Sequence, residues 1–349
     1  MADTITLAAA HDLMQSRETF TLDSTLTIAG TEIPCEALTL TLDENGQDWI
    51  EVKATMPGRL ALDTRTAPRG TLTTALGFPD RGEATTPTTL DLICRSTDRT
   101  RQPGADHTDI TLQSAESLIR DDAAKTTRTF TSASLLTASV TQIIHAVIPG
   151  AAIVSEIPTA TKFLTGDDTI EWEPTKQPWA VITEMCDNAT IGECECLNNG
   201  INFVIRRKPT LSTPAYVFTE GANIAQVKES TSRDDFYNAV RITRADGTVT
   251  TLEDNRAVLG VAACGRRLKM IETKIAGTAA SAAYAQSCIN RAVTSGLSMQ
   301  IVTPDCPLGL APGMTVSVFL DGALADWLIA RIEFDLKTGI TTLNLRKDS

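Results

Sequence analysis

Three well-separated stretches of this chain alternate apolar and polar residues one for one, and no other feature constrains its fold as tightly. A period of two places successive side chains on opposite faces of a strand, so each such stretch has one greasy and one wet face. In the first, Phe20, Leu22, Leu26 and Ile28 alternate with Thr21, Asp23, Thr25 and Thr27, and Ala29-Gly30-Thr31 makes a turn. In the second, Leu38, Leu40 and Leu42 alternate with Thr39, Thr41 and Asp43. Asn45-Gly46 then predicts a tight hairpin, and Ile50, Val52, Ala54 and Met56 return opposite Glu51, Lys53 and Thr55. In the third, Met314, Val316, Val318 and Leu320 alternate with Thr315, Ser317 and Phe319. Leu328, Ala330, Ile332, Phe334 and Leu336 follow, then Leu343 and Leu345, with turns at Asp321-Gly322 and Thr338-Gly339. That predicts a three-stranded antiparallel meander. Threonine recurs on the wet faces, where a β-branched residue fits a pleated surface.

Between these stretches the period changes. Strands are expected near 70–76, 88–95 and 108–113, joined by loops at Pro79–Pro87 and Gln102–His107. Ser114 is placed to cap a short helix, and longer helices are expected over Ser132–Ile148 and Gln177–Asn188. A small hairpin surrounds Asn199-Gly200. Strands resume at Val217, Asp246-Gly247 marks another hairpin, and an Ala-rich stretch predicts a helix over 275–295. The fold class is therefore α+β. A β region (1–113) precedes a helical or mixed region (114–216), and a second β region (217–349) carries a helical insertion at about 260–299. With 349 residues, 42% hydrophobic and 21% charged, the chain is large enough for two or three folded domains.

The chemistry-bearing residues are sparse. A net charge of −12 argues against a nucleic-acid binder, which needs a basic face, and suits a conduit through which DNA slides without sticking. The N-terminal run has no basic segment, so it does not read as a secretory signal. No apolar run approaches the roughly 20 residues that span a bilayer. The eight cysteines are expected as free, buried thiols in a reducing cytosol. Cys186, Cys194 and Cys196 come nearest to a metal cluster but lack paired CxxC units. His11, His107 and His145 stand apart from one another. The adjacent carboxylates Asp121-Asp122, Asp167-Asp168 and Asp234-Asp235 are expected by chance among 43 acidic residues. No nucleophile elbow, phosphate loop or dinucleotide fingerprint is present. No catalytic, cofactor-binding or metal-binding residue is expected.

Three segments carry a resemblance to a known family. Phe218–Ile242 contains Ser232-Arg233-Asp234-Asp235, then Asn238 and Val240. Pro307–Arg346 opens with Leu310, Pro312-Gly313-Met314 and Val316. Trp172 and Pro174 precede Pro178-Trp179-Ala180-Val181-Ile182 and a hairpin ending in Arg206-Arg207-Lys208-Pro209. Together these resemble phage tail hub proteins, the late control protein D type and the N-terminal hub domain of siphophage tail-associated proteins. The resemblance covers about residue 110 to the end. It implies two β-barrel-like tube domains flanking a lateral helical domain, with three copies forming a pseudo-sixfold ring at the end of the tail tube. It also implies a non-enzymatic virion protein of the tail tip, assembled in the host bacterial cytoplasm. Its expected partners are a distal tail or tail tube protein, the tape measure protein, and other minor tail or fibre proteins. The chain has no room for a long C-terminal enzymatic or receptor-binding extension, so such activities are expected on those partners. Thr39, Thr41, Glu51 and Lys53, with Thr315, Ser317, Arg331 and Glu333, are the residues expected to face a lumen or a neighbouring subunit; an ordinary solvent face is the plain alternative for each. A host-surface binding module and a carboxylate-using cell-wall hydrolase are the rival functions.

Overall fold

The computed structural model describes residues 3–103, 105–164, 166–234, 236–244, 246–256, 259–273, 284–286, 288–290, 292 and 297–347. Strands dominate. The first region contains β1 (Asp3–Ile5), α1 (Leu7–Gln15), β2 (Thr21–Ile28), β3 (Thr31–Ile33), β4 (Ala37–Asp43), β5 (Ile50–Pro57), β6 (Arg69–Phe78), β7 (Glu83–Thr85), β8 (Thr88–Gln102) and β9 (Ala105–Gln113). The middle region contains α2 (Glu116–Asp121), β10 (Arg128–Thr131), α3 (Leu136–Val147), β11 (Ile153–Ser155), β12 (Thr169–Trp172), α4 (Pro178–Asp187), β13 (Cys194–Asn198) and β14 (Phe203–Arg207). The last contains β15 (Tyr216–Thr219), β16 (Gln226–Thr231), β17 (Ala239–Arg244), β18 (Val249–Glu253), α5 (Val261–Cys264), β19 (Leu268–Thr273), β20 (Leu297–Thr303), β21 (Thr315–Leu320), β22 (Ala323–Asp335) and β23 (Thr341–Arg346).

Strands from both ends of the chain share one 15-stranded sheet, whose main path runs β1-β7-β6-β8-β9-β5-β4-β22-β23-β20-β16. Among the described residues no ladder closes this sheet on itself. The ladder between β4 and β22 joins the two ends in antiparallel register, Leu40 against Phe334 and Leu42 against Ile332. The apolar faces of both ends then fill a single core that includes Leu38, Val52, Leu72, Leu112, Ile332, Phe334 and Leu343. Two long strands change neighbours along their length. β8 pairs with β6 up to Ile93 and with β9 to its far end, and its register shifts between Cys94 and Ser96. β22 pairs first with β21, then with β23 and β4, and its ladder with β23 shifts between Ile329 and Arg331. A bulge bends a strand and raises its twist, which lets one strand leave one ladder for another.

Helix α1 clamps the last region. Its His11 Nε2 meets the Leu308 carbonyl at 2.8 Å, and its ring lies edge-on to Tyr216 at 5.4 Å. The Tyr216 hydroxyl donates to Asp305 at 2.7 Å. Burial lowers the His11 pKa, so the neutral imidazole is favoured there. The middle region has its own core around Phe163, Trp172, Ile182 and Phe203. A third core of Phe236, Val240, Ile242, Tyr284 and Ile289 lies under the small sheet β18-β17-β19.

The meander, the hairpin at Asn199-Gly200 and the helices at 136–147 and 178–187 fall where the sequence predicts them. At Ala29-Gly30 both residues are left-handed (φ 50° and 79°), as a two-residue hairpin with right-twisted strands requires. Some details differ. Ser114 does not cap α2; Ala115 is the N-cap residue and makes no side-chain cap, and the Ser114 hydroxyl turns to Glu116 instead. The expected loop at Gln102–His107 is mostly strand: β8 and β9 continue as a wet hairpin held by its ladder and by Arg99 gripping Asp106. That hairpin leaves the core, so no apolar alternation marks it. Residues 268–273, inside the stretch expected as a helical insertion, form β19, which pairs in parallel with β17. The helix expected over 275–295 lies largely outside the described residues; positions 284–286, 288–290 and 292 are helical.

Phe334 is 1% exposed at the joining ladder, whereas Leu324 is 63% exposed at a hairpin end. Phe334→Ala is expected to lower the unfolding free energy by about 3–5 kcal/mol, and Leu324→Ser by no more than about 0.5 kcal/mol. Urea unfolding of both variants checks the pair.

Candidate functional site

One face of the central sheet is wet across eight consecutive strands. Starting from the far half of β8, the order is β8-β9-β5-β4-β22-β23-β20-β16, and each ladder in that run is antiparallel. The register lines up the polar residues in rows. Glu51 lies opposite Thr41 and Gln113, Thr41 opposite Glu333, and Glu333 opposite Thr342. Lys53 lies opposite Thr39 and Thr111, and Arg331 opposite Asp43 and Asn344. Asn344 faces Gln300, which faces Lys228 on β16. These side chains are exposed or half-exposed, while the alternate residues point into the core.

Thr39, Thr41, Glu51, Lys53, Arg331 and Glu333 therefore come together on this one face. The charges are locally matched: Lys53 pairs with Glu51 at 2.8 Å and Arg331 with Glu333 at 2.8 Å. Such exposed pairs contribute little stability, about 0–1 kcal/mol each, so they shape the potential of the face more than its strength. Thr315 and Ser317 do not join them. Thr315 is 1% exposed because the chain around Ser212 covers it, and its hydroxyl accepts from the Ser212 amide at 2.8 Å. Ser317 is 4% exposed and donates to Asp326 at 2.6 Å. The alternation that places them on a wet face is present, but Thr315 to Val318 of β21 are buried on both sides.

At one end of the face the β4–β5 connection is not the tight Asn45-Gly46 turn that the sequence predicts. Residues 44–49 are drawn out into a joint with the middle region. Glu116, 2% exposed, accepts from the Trp49 amide at 2.8 Å, from the Ser114 hydroxyl at 2.9 Å and from the Asn198 amide. It thereby ties β5, α2 and the β13–β14 hairpin together. Burial pushes its pKa up to about 7, although all three donors pull it down. Beside it the buried Asp48 pairs with Arg120, and burial raises Asp48 as well. Arg206 on β14 donates to Glu195 at 2.7 Å and to the Pro312 carbonyl at 3.2 Å, and stacks over Trp49 at 5.2 Å. One guanidinium thus touches all three regions of the chain. Sequence spacing gave no hint of this joint, because its members are far apart along the chain.

The remaining candidates do not converge. Cys35, Cys94, Cys186, Cys194, Cys196, Cys288 and Cys306 are free thiols. Burial pushes Cys194 up to about 11 and Cys186 and Cys196 well above the ordinary thiol range, so the protonated thiol is favoured at each. Among the described residues, no group of three or more His, Cys, Asp or Glu is placed to hold a metal ion. Asp121 is taken by Arg95, Asp167 and Asp168 lie at the surface, and Asp235 lies outside the described residues. No helix among the described residues is long and apolar enough to cross a membrane.

Glu116→Gln keeps the shape of the side chain but turns an amide donor toward a donor. It is expected to cost about 1–3 kcal/mol. Because folding raises the Glu116 pKa, the folded state holds this proton more tightly. That contribution is full below about pH 4.5 and is lost as pH rises through about 7. The wild type should therefore lose up to about 3 kcal/mol across that window through this group, and the Gln variant should show a flatter profile in chemical denaturation from pH 5 to 8.

No protein-family model and no curated protein matches the chain. Solved structures do. The tail protein from Neisseria meningitidis MC58 matches with a TM-score of 0.70 at 16% identity, over 94% of this chain and 97% of that one. The 43 kDa tail protein of prophage MuSo2 from Shewanella oneidensis matches with a TM-score of 0.66 at 13% identity, over 93% and 97%. Prophage tail protein gp18 from Listeria monocytogenes EGD-e matches with a TM-score of 0.59 at 9% identity, over 93% and 94%. At these identities the likeness establishes the fold, and the fold is one shared with phage tail proteins.

Proposed function

We propose that this chain is a structural hub subunit of a phage-type tail tip or baseplate, and that three copies close into a ring at the end of the tail tube. The observation that carries the reading is the eight-stranded wet layer and its two edges. At one edge, Ser96–Gln102 of β8 pair only with β9; at the other, β16 pairs only with β20, among the described residues. Eight strands in strict alternation leave the two edge strands running in opposite directions. A rotation about an axis along the strands then brings one copy's β16 beside the next copy's β8 in antiparallel sense. Such a head-to-tail contact closes into a ring, and it removes the free edges that otherwise template aggregation. Eight strands at about 4.8 Å span roughly 38 Å, so three copies make a bore on the order of 37 Å between backbones, wider if the strands tilt.

In this reading residues 1–113 and 217–349 form the two tube domains of each copy, and residues 114–216 lie laterally. Six such domains give the ring its pseudo-sixfold match to a hexameric tube. The wet face lines the lumen, and the net charge of −12 keeps a passing DNA duplex from adhering. A distal tail or tail tube protein, the tape measure protein and fibre proteins are the partners, the tail tip of the virion is the location, and assembly takes place in the host cytoplasm. The role is mechanical and not enzymatic. Light scattering on the full chain, alone and with tail proteins, should give three times the 37.4 kDa mass, and images of tail particles should place a threefold ring on the tail axis. A chain that stays monomeric and never enters a tail particle overturns the reading.

A further inference from the structure

We propose that closure of this ring is keyed by charge, with Asp98 on the β8 edge of one copy paired to Lys228 on the β16 edge of the next. The inference rests on the ring reading and adds the residues that set its register. On β8, Asp98 lies on the wet face directly opposite Asp109 of β9. Like charges opposed across a ladder destabilise it. Asp109 is compensated, since Thr55 donates to it at 2.7 Å and His107 Nε2 lies 3.7 Å away. Asp98 has no ion-pair partner among the described residues and is exposed. At the far edge of the same layer, Lys228 shares the wet face with Gln300 and Asn344. It too is exposed and has no ion-pair partner among the described residues. One copy cannot bring these two groups together, because the whole width of the layer separates them.

The opposite faces of the two edges are matched in the other sense. Period two puts Glu229 on the reverse of β16 and Arg99 on the reverse of β8. If Lys228 sits opposite Asp98 in antiparallel pairing, Glu229 sits opposite Thr97 and is diagonal to Arg99, within reach of a long side chain. Arg99 already grips Asp106, so Glu229 adds a second carboxylate to a positioned cation. A slip by two residues sets Lys228 against Ser96 or Thr100 and loses the opposition to Asp98. A slip by one turns the wet face of one copy toward the core side of the next. The two faces therefore select one register and one partner, a second copy of this chain.

The test uses the full chain and light scattering over a concentration series, with thermal melting to confirm that each variant is folded. Lys228→Glu, which meets Asp98 and Asp109 with a third carboxylate, should raise the half-assembly concentration by about tenfold or more, and Asp98→Lys should do likewise. The double variant Asp98→Lys/Lys228→Glu should return to within about threefold of wild type, since the pair is restored with its signs exchanged. Lys162→Glu, an exposed lysine of the middle region, should assemble as wild type does. If the wild type forms the ring and Lys228→Glu assembles equally well, the charge key is wrong and the ring stands. If both single reversals weaken assembly and the folded double variant does not recover, the pairing is wrong. If the wild type stays monomeric at every concentration and joins no tail particle, the ring and its key fall together.

Discussion

The antiparallel ladder between β4 and β22 is the contact on which the rest of the molecule depends. It sets Leu40 against Phe334 and Leu42 against Ile332, and so fuses the first and last parts of the chain into one sheet over one core. Without it each end would be a smaller sheet with an additional bare edge. The contact joins residues nearly a chain length apart, so its loop-closure entropy must be met before its burial contributes. Such long-range pairing makes for slow folding. The supporting bonds around it have the same long reach: Arg346 grips Glu44, and the Glu44 amide donates to the Ala330 carbonyl.

That fusion generates the wet face. Each strand supplies one polar row, and the shared register aligns these rows from β8 to β16. The face is a property of the sheet and of no single segment. Its edges follow from the same arrangement, because β8 leaves β6 at its bulge while β16 is the last strand of the path. The bulges in β8 and β22 let long strands serve two ladders, where a straight strand would have to end or expose its apolar side.

The joint around Glu116, Asp48 and Arg206 works by a different physics. It buries charge, which is costly unless each group is bonded. Glu116 collects three donors from three segments, so its burial fixes how the middle region is attached. Packing alone would allow a hydrophobic contact to slide, whereas a buried carboxylate with directed bonds does not.

The strands were legible in the sequence wherever one face is dry. Leu38 to Asp43, Ile50 to Met56 and Ile332 to Leu336 carry the alternation because their inner residues meet the core and their outer residues meet water, whereas the bulge between Ile329 and Arg331 puts Ile329 and not Ala330 in the core. The β8–β9 extension was not legible, since both of its faces are wet and period two leaves no trace in polar residues. Six of the eight residues singled out lie together because alternation fixes the face of each strand. Thr315 and Ser317 do not, because alternation cannot tell which wet-looking face another segment will cover. The sequence by itself therefore determined the β-rich α+β class, the faces of most of the individual strands and the net charge of −12. The tertiary structure alone decided which strands are neighbours, where the sheet ends and which charges are buried. Those depend on contacts between residues far apart in the chain, and local periodicity carries no information about them.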